Sequence, residues 1–92
     1  MAIFKNQGLL TIELDTLYDL SNTTSTKILY QKPDGTTGEW SAATSETTKV
    51  TVSLEDDYLD QAGTWIFQAY AVEGGRTAYG QKAYVTIEPN LD

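Results

Sequence analysis

Leu59-Asp60-Gln61-Ala62-Gly63-Thr64-Trp65-Ile66-Phe67-Gln68-Ala69-Tyr70 is the stretch that decides how this chain folds. It reads as a turn ending in Ala-Gly, then a long strand running to Val72. Successive side chains of a strand point to opposite faces. Trp65, Phe67, Ala69 and Ala71 therefore share one face, and Ile66, Tyr70 and Val72 the other. A strand apolar on both faces is either central in a covered sheet or half-buried against a partner. This spacing assigns Trp65 and Phe67 to a core and leaves Ile66 and Tyr70, with Tyr84, as candidate partner contacts.

Outward from that strand, the pattern is β throughout. No window carries sustained 3.6-residue apolar spacing, so nothing beyond a single helical turn is expected. Leu9 to Asp15 alternates Leu10, Ile12 and Leu14 with Thr11, Glu13 and Asp15, which gives a strand with one dry and one wet face. Further strands are expected at Lys27–Lys32, Glu39–Ala42, Lys49–Leu54 and Thr77–Glu88. Gly80 marks a bulge or a close backbone approach within the last of these. Asp19–Thr26 and Ala43–Thr48 read as polar loops, because Ser, Asn and Thr side chains bond locally to the backbone. Pro33-Asp34-Gly35 is a turn, and Glu73-Gly74-Gly75-Arg76 a tight hairpin whose glycines accept positive φ. The expected core is Leu10, Ile12, Leu14, Ile28, Tyr30, Trp40, Val50, Val52, Leu54, Trp65, Phe67, Ala69, Val85 and Ile87.

Residues 9–92 are expected to form a single domain, preceded at 1–8 by an arm or edge strand. Ile3 and Phe4 in that arm either pack on the same domain or reach a neighbouring subunit. The chain has 92 residues and no cysteine, so neither a disulfide nor a thiolate metal site supports its modest core. Net charge is −7, and Lys5, Lys27, Lys32, Lys49, Arg76 and Lys82 are scattered singly. No basic patch is dense enough to neutralise several phosphates, so no nucleic-acid partner is expected. No apolar run approaches the ~20 residues that span a bilayer, and Met1–Gly8 lacks a signal-peptide layout. No membrane partner is expected either.

Histidine and cysteine are both absent, which removes the commonest general base, metal ligand and nucleophile. Glu55-Asp56-Asp57 with Asp60 is the densest acidic cluster, but it lacks the spacing of a calcium loop and reads as a solvated turn. No phosphate-cradling glycine motif is present. Asn22-Thr23-Thr24 fits the N-glycosylation pattern, a short and frequent match. The expectation is therefore a chain with no catalytic, cofactor-binding or metal residues. Its candidate partner contacts are Ile3, Phe4, Ile66, Tyr70, Tyr79 and Tyr84, with Trp40 a further exposed-aromatic candidate.

Short strands separated by turn signals argue for a sandwich. The Asp60–Phe67 segment resembles the D-x-G-x-Y-x-C entry to the penultimate strand of immunoglobulin-like domains, with Trp65 at the tyrosine and Phe67 at the cysteine. The fold class expected is an all-β, immunoglobulin-like β-sandwich of six or seven antiparallel strands. Two stretches carry a closer resemblance. Tyr30-Gln31-Lys32-Pro33-Asp34-Gly35 with Trp40-Ser41-Ala42, and Leu59–Trp65 with Gln68-Ala69-Tyr70, resemble small Ig-like virion proteins of tailed bacteriophages. The layout over residues 26–88 is also similar to the Ig-like N-terminal domain of phage baseplate proteins that anchor fibres. The resemblance implies a structural protein of the virion, made in the host cytoplasm. It would act as a tail, neck or baseplate adaptor that contacts other virion proteins and copies of itself. Capsid decoration, or recognition of a host receptor or glycan through Trp40, Tyr79 and Tyr84, are the alternatives.

Overall fold

Strands alone make up the regular structure of the computed structural model, which describes residues 3–6, 8, 10–55 and 58–89. In chain order they are β1 (Ile3–Phe4), β2 (Thr11–Asp15), β3 (Ser25–Gln31), β4 (Thr37–Ser41), β5 (Ala43–Ser45), β6 (Lys49–Ser53), β7 (Gly63–Glu73), β8 (Arg76–Tyr79) and β9 (Ala83–Glu88). The larger sheet runs β1-β9-β7-β3-β4, with β8 also on β7, and the smaller runs β2-β6-β5. Every pairing is antiparallel except β1 on β9, where Ile3 lies opposite Ile87. Without β1 and β8, these are the G-F-C-C′ and B-E-D sheets of an immunoglobulin-type sandwich.

The deciding segment behaves as its pattern requires. Along β7, Trp65, Phe67, Ala69 and Ala71 are buried, while Ile66, Gln68, Tyr70 and Val72 are half-buried on the outer face. Trp65 and Phe67 join Tyr30, Trp40 and Tyr58 in one aromatic cluster, with Trp40 stacked on Tyr58 at 5.0 Å and tilted on Tyr30 at 4.7 Å. Across the sandwich, Ile12, Leu14, Val50 and Val52 face this cluster from β2 and β6. Trp65 also anchors its own corner. Its Nε1–H donates to the Gln61 carbonyl at 2.9 Å. In immunoglobulin-type domains a tyrosine hydroxyl at this place bonds back to the upstream backbone.

Several expectations are corrected. Thr77–Glu88 is two strands, interrupted at Gly80–Lys82. The Gly80 N–H bonds to the Ala69 carbonyl at 3.0 Å, and a Cβ on Gly80 would stand 3.3 Å from that of Ala69. The chain is pinched there, so β8 pairs with the C-terminal part of β7 and β9 with the N-terminal part. Ala43–Ser45, expected as loop, is the edge strand β5, because the chain leaves β4 at Ala42 and crosses to pair with β6. Ser25 and Thr26, assigned to the polar loop, begin β3. The buried core also takes in Leu20, Leu59 and Ala71, which the expected core omitted. Leu10, Ile12, Leu14, Tyr30, Trp40 and Val85 are only partly buried. Leu9 of the first expected strand, and Asp56 and Asp57 of the acidic cluster, lie outside the described residues.

Candidate functional site

The outer face of the larger sheet, opposite the smaller sheet, carries most of the candidate contacts. Strand pairing arranges its side chains in rows. One row runs Thr37, Gln31, Ile66, Tyr84. The next runs Glu39, Leu29, Gln68. Lys82 falls one step past the last β7–β9 pair, Phe67 with Ala83, and so continues that row. The third runs Ser41, Lys27, Tyr70, Tyr79. Among the described residues no element covers these rows.

The relief of this face follows from the residue sizes. Tyr84 and Tyr79 stand out on the β8–β9 side, at 67 % and 53 % exposure. Between them and β4 lies an open trough of about 430 Å³ lined by Leu29, Gln31, Glu39, Ile66, Gln68 and Lys82. The Gln68 amide is fixed by donating to the Gly80 carbonyl at 2.9 Å. The Tyr70 and Tyr79 rings meet edge to face at 5.4 Å, and the Lys27 ammonium sits 5.9 Å from the Tyr70 centroid. Lys27 also bonds Glu39, and that bond, with the attraction of the carboxylate, raises the lysine above its ordinary pKa. The face is thus apolar and aromatic at its centre, with Glu39 at one margin and Lys82 at the other.

The remaining candidates lie outside these rows. Ile3 packs against the core from β1, and Phe4, the next residue, turns to the outer side opposite Glu88, 44 % exposed and beyond the three rows. Trp40 points into the aromatic cluster. Sequence reasoning grouped Ile66, Tyr70 and Tyr84 and named Tyr79 separately, but missed Gln68 on β7 itself, Lys82, which joins through the β7–β9 register, and Leu29 and Glu39, which join only through the β3–β7 and β3–β4 pairings. It also missed Leu17 and Tyr18, 79 % and 52 % exposed at the β2–β3 loop. Two apolar residues between Asp15 and Asp19 were the available signal. Among the described residues, no group of three or more Asp or Glu gathers closely enough to hold a metal ion.

No protein-family model matches the chain, and no match was found among curated proteins. Among solved structures, the chain is similar to CopC from Methylosinus trichosporium OB3b. The TM-score is 0.63 at 13 % identity, over 99 % of this chain and 87 % of that one. A likeness at that identity speaks to the β-sandwich fold alone.

Proposed function

We propose that this chain is a non-enzymatic structural module of a tailed-phage virion, a tail, neck or baseplate adaptor that works by protein–protein contact in a symmetric assembly. The virion setting rests on the resemblance over residues 26–88. The mode of action rests on one observation, the uncovered face on which Leu29, Ile66, Tyr70, Tyr79 and Tyr84 lie together. Exposed aromatic clusters of this kind, rimmed by polar groups, mark interaction surfaces. A small domain without disulfides also gains stability when a partner buries such a face.

The test is the composition of purified tailed particles from the host that encodes the chain. Mass spectrometry should find it at a fixed copy number that is a multiple of three or six per particle. Its absence from the particles would overturn the reading. Glycan recognition is favoured by one specific feature, Tyr84 and Tyr79 flanking a trough with Gln68 and Lys82 in reach. Saturable glycan binding lost on Tyr84→Ala would move the assignment to that class.

A further inference from the structure

We infer that the outer face of the larger sheet binds a second copy of this chain, face to face, about a two-fold axis parallel to the strands. The inference deepens the contact-module reading and rests on it.

The placement of charge carries it. Glu39 on β4 and Lys82 beyond β9 share one row but stand at opposite margins of the trough, with Leu29 and Gln68 between them. Both are exposed, and Lys82 makes no ion pair among the described residues. A two-fold contact brings the same patch of each copy together. When two sheets pack face to face, their strands align to within about 30°. Two axis directions satisfy both conditions. An axis across the strands lays each edge on its own copy, so Glu39 meets Glu39 and Lys82 meets Lys82. An axis along the strands lays the β4 edge of one copy over the β8–β9 edge of the other. Glu39 then faces Lys82 twice, Lys27 comes opposite Tyr70, and Leu29 opposite Gln68. Charge selects this second arrangement, since like charges placed together oppose association.

The rest of the molecule points the same way. The chain carries a net charge of −7, yet the three rows hold Lys27 and Lys82 against Glu39, with Glu88 on the same face but beyond them. It is a place where one acidic chain can approach another. A strand spacing of about 4.8 Å over four strands and a two-residue step of about 6.8 Å over three rows make the contact about 20 by 20 Å, roughly 400 Å² per copy. About 800 Å² in all is below the standard size of specific interfaces, so the dimer is weak and depends on concentration.

The test is sedimentation equilibrium of the full chain at 0.15 M salt, from micromolar to millimolar protein, with circular dichroism to check folding. The wild type should dimerise within that range. Lys82→Glu and Glu39→Lys should each weaken the dimer by about fivefold or more, and the double exchange should restore it to within about threefold. Glu39→Lys lowers the net negative charge, so general repulsion predicts a tighter dimer, whereas loss of the facing pair predicts a weaker one. It also breaks the Lys27–Glu39 pair within the chain, which Lys82→Glu does not rebuild, so recovery in the double exchange is the decisive result.

A wild type that stays monomeric to millimolar concentration overturns the inference. So does a dimer indifferent to both reversals. A monomer whose Lys82 is shielded from amine acetylation only inside particles assigns the face to a different virion protein, and also overturns it. The chain's presence in particles, read separately, decides the adaptor reading, so the two can fail independently.

Discussion

Trp65 shows how one side chain can hold a corner and a core together. Its ring is wholly buried in the aromatic cluster, and its Nε1–H reaches the Gln61 carbonyl at 2.9 Å. Trp65→Phe keeps most of the apolar area but leaves that carbonyl without its donor and opens a small void. The expected loss is about 2–3 kcal/mol, from the broken bond and the lost packing, read as a lower urea midpoint with an unchanged slope. A larger exposed aromatic signal and a lower slope would instead mean that the corner had unfolded. Thr47 presents the opposite case. It is exposed on the β5–β6 turn with φ 62°, a left-handed backbone that a β-branched residue adopts at a cost. Its carbonyl, which accepts the Leu20 N–H at 2.6 Å, belongs to the backbone and survives substitution. Thr47→Asn should therefore stabilise by about 0.5–1 kcal/mol and raise Tm by a few degrees. An unchanged or lower Tm would show that the Thr47 side chain makes a contribution of its own.

At the scale of elements, the β3–β4 turn is tied to the corner before β7. Lys32 Nζ bonds Asp60 at 2.9 Å, and Gln61 Nε2 donates to Asp34 at 2.9 Å. The glycine at 63 allows the close fit, since its φ is 128° and a Cβ would stand 2.8 Å from the Pro33 ring. The Thr36 N–H, and after it the Gln61 amide, hold Asp34 below its ordinary pKa. A carboxyl with a lowered folded pKa adds stability above its unfolded pKa of about 3.9, lost as pH falls through the folded value. Wild type should thus exceed Asp34→Asn in urea midpoint at pH 5, and the gap should narrow between pH 4 and pH 2. A gap constant with pH would mean that the Asp34 charge contributes nothing.

The same scale explains what the sequence made legible. Period-two alternation placed β2, β6 and β7 and their inward faces, because each reports on its own residues. The glycine pair of the β7–β8 hairpin was readable for the same reason, with φ of 56° and 80° at Gly74 and Gly75. The sheet switch at Ala42 and the break at Gly80 were not legible as such, since both depend on which strand lies alongside. Half of the outer face was visible as Ile66, Tyr70 and Tyr84. Glu39 and Lys82 are separated by nearly half of the chain, and only the non-local β3–β7 ladder sets them in one row.

At the scale of the whole molecule, the decisive quantity is net charge against local pairing. Two chains of −7 each would meet with centres roughly one sandwich thickness apart, and the shortest molecular extent is 19 Å. Treated as point charges about 20 Å apart in water, they repel by about 5 kcal/mol at 0.01 M salt and under about 1 kcal/mol at 0.15 M. Each facing Glu39–Lys82 pair, being at the margin of the face, returns only about 0.2–1 kcal/mol and is itself screened. Repulsion wins at low salt, so salt should strengthen this dimer, contrary to the usual behaviour of a contact with ion pairs at its rim. Sedimentation at 0.01, 0.05 and 0.15 M sodium chloride should show the dissociation constant falling at least tenfold, then levelling off as the Debye length drops below the separation. A constant that rises with salt would mean that the pairs outweigh the net charge, which requires Glu39 and Lys82 to be desolvated at the centre of the contact. The salt response thus separates a marginal from a central position for the facing pair, and in either case the net charge holds copies apart until the outer faces meet.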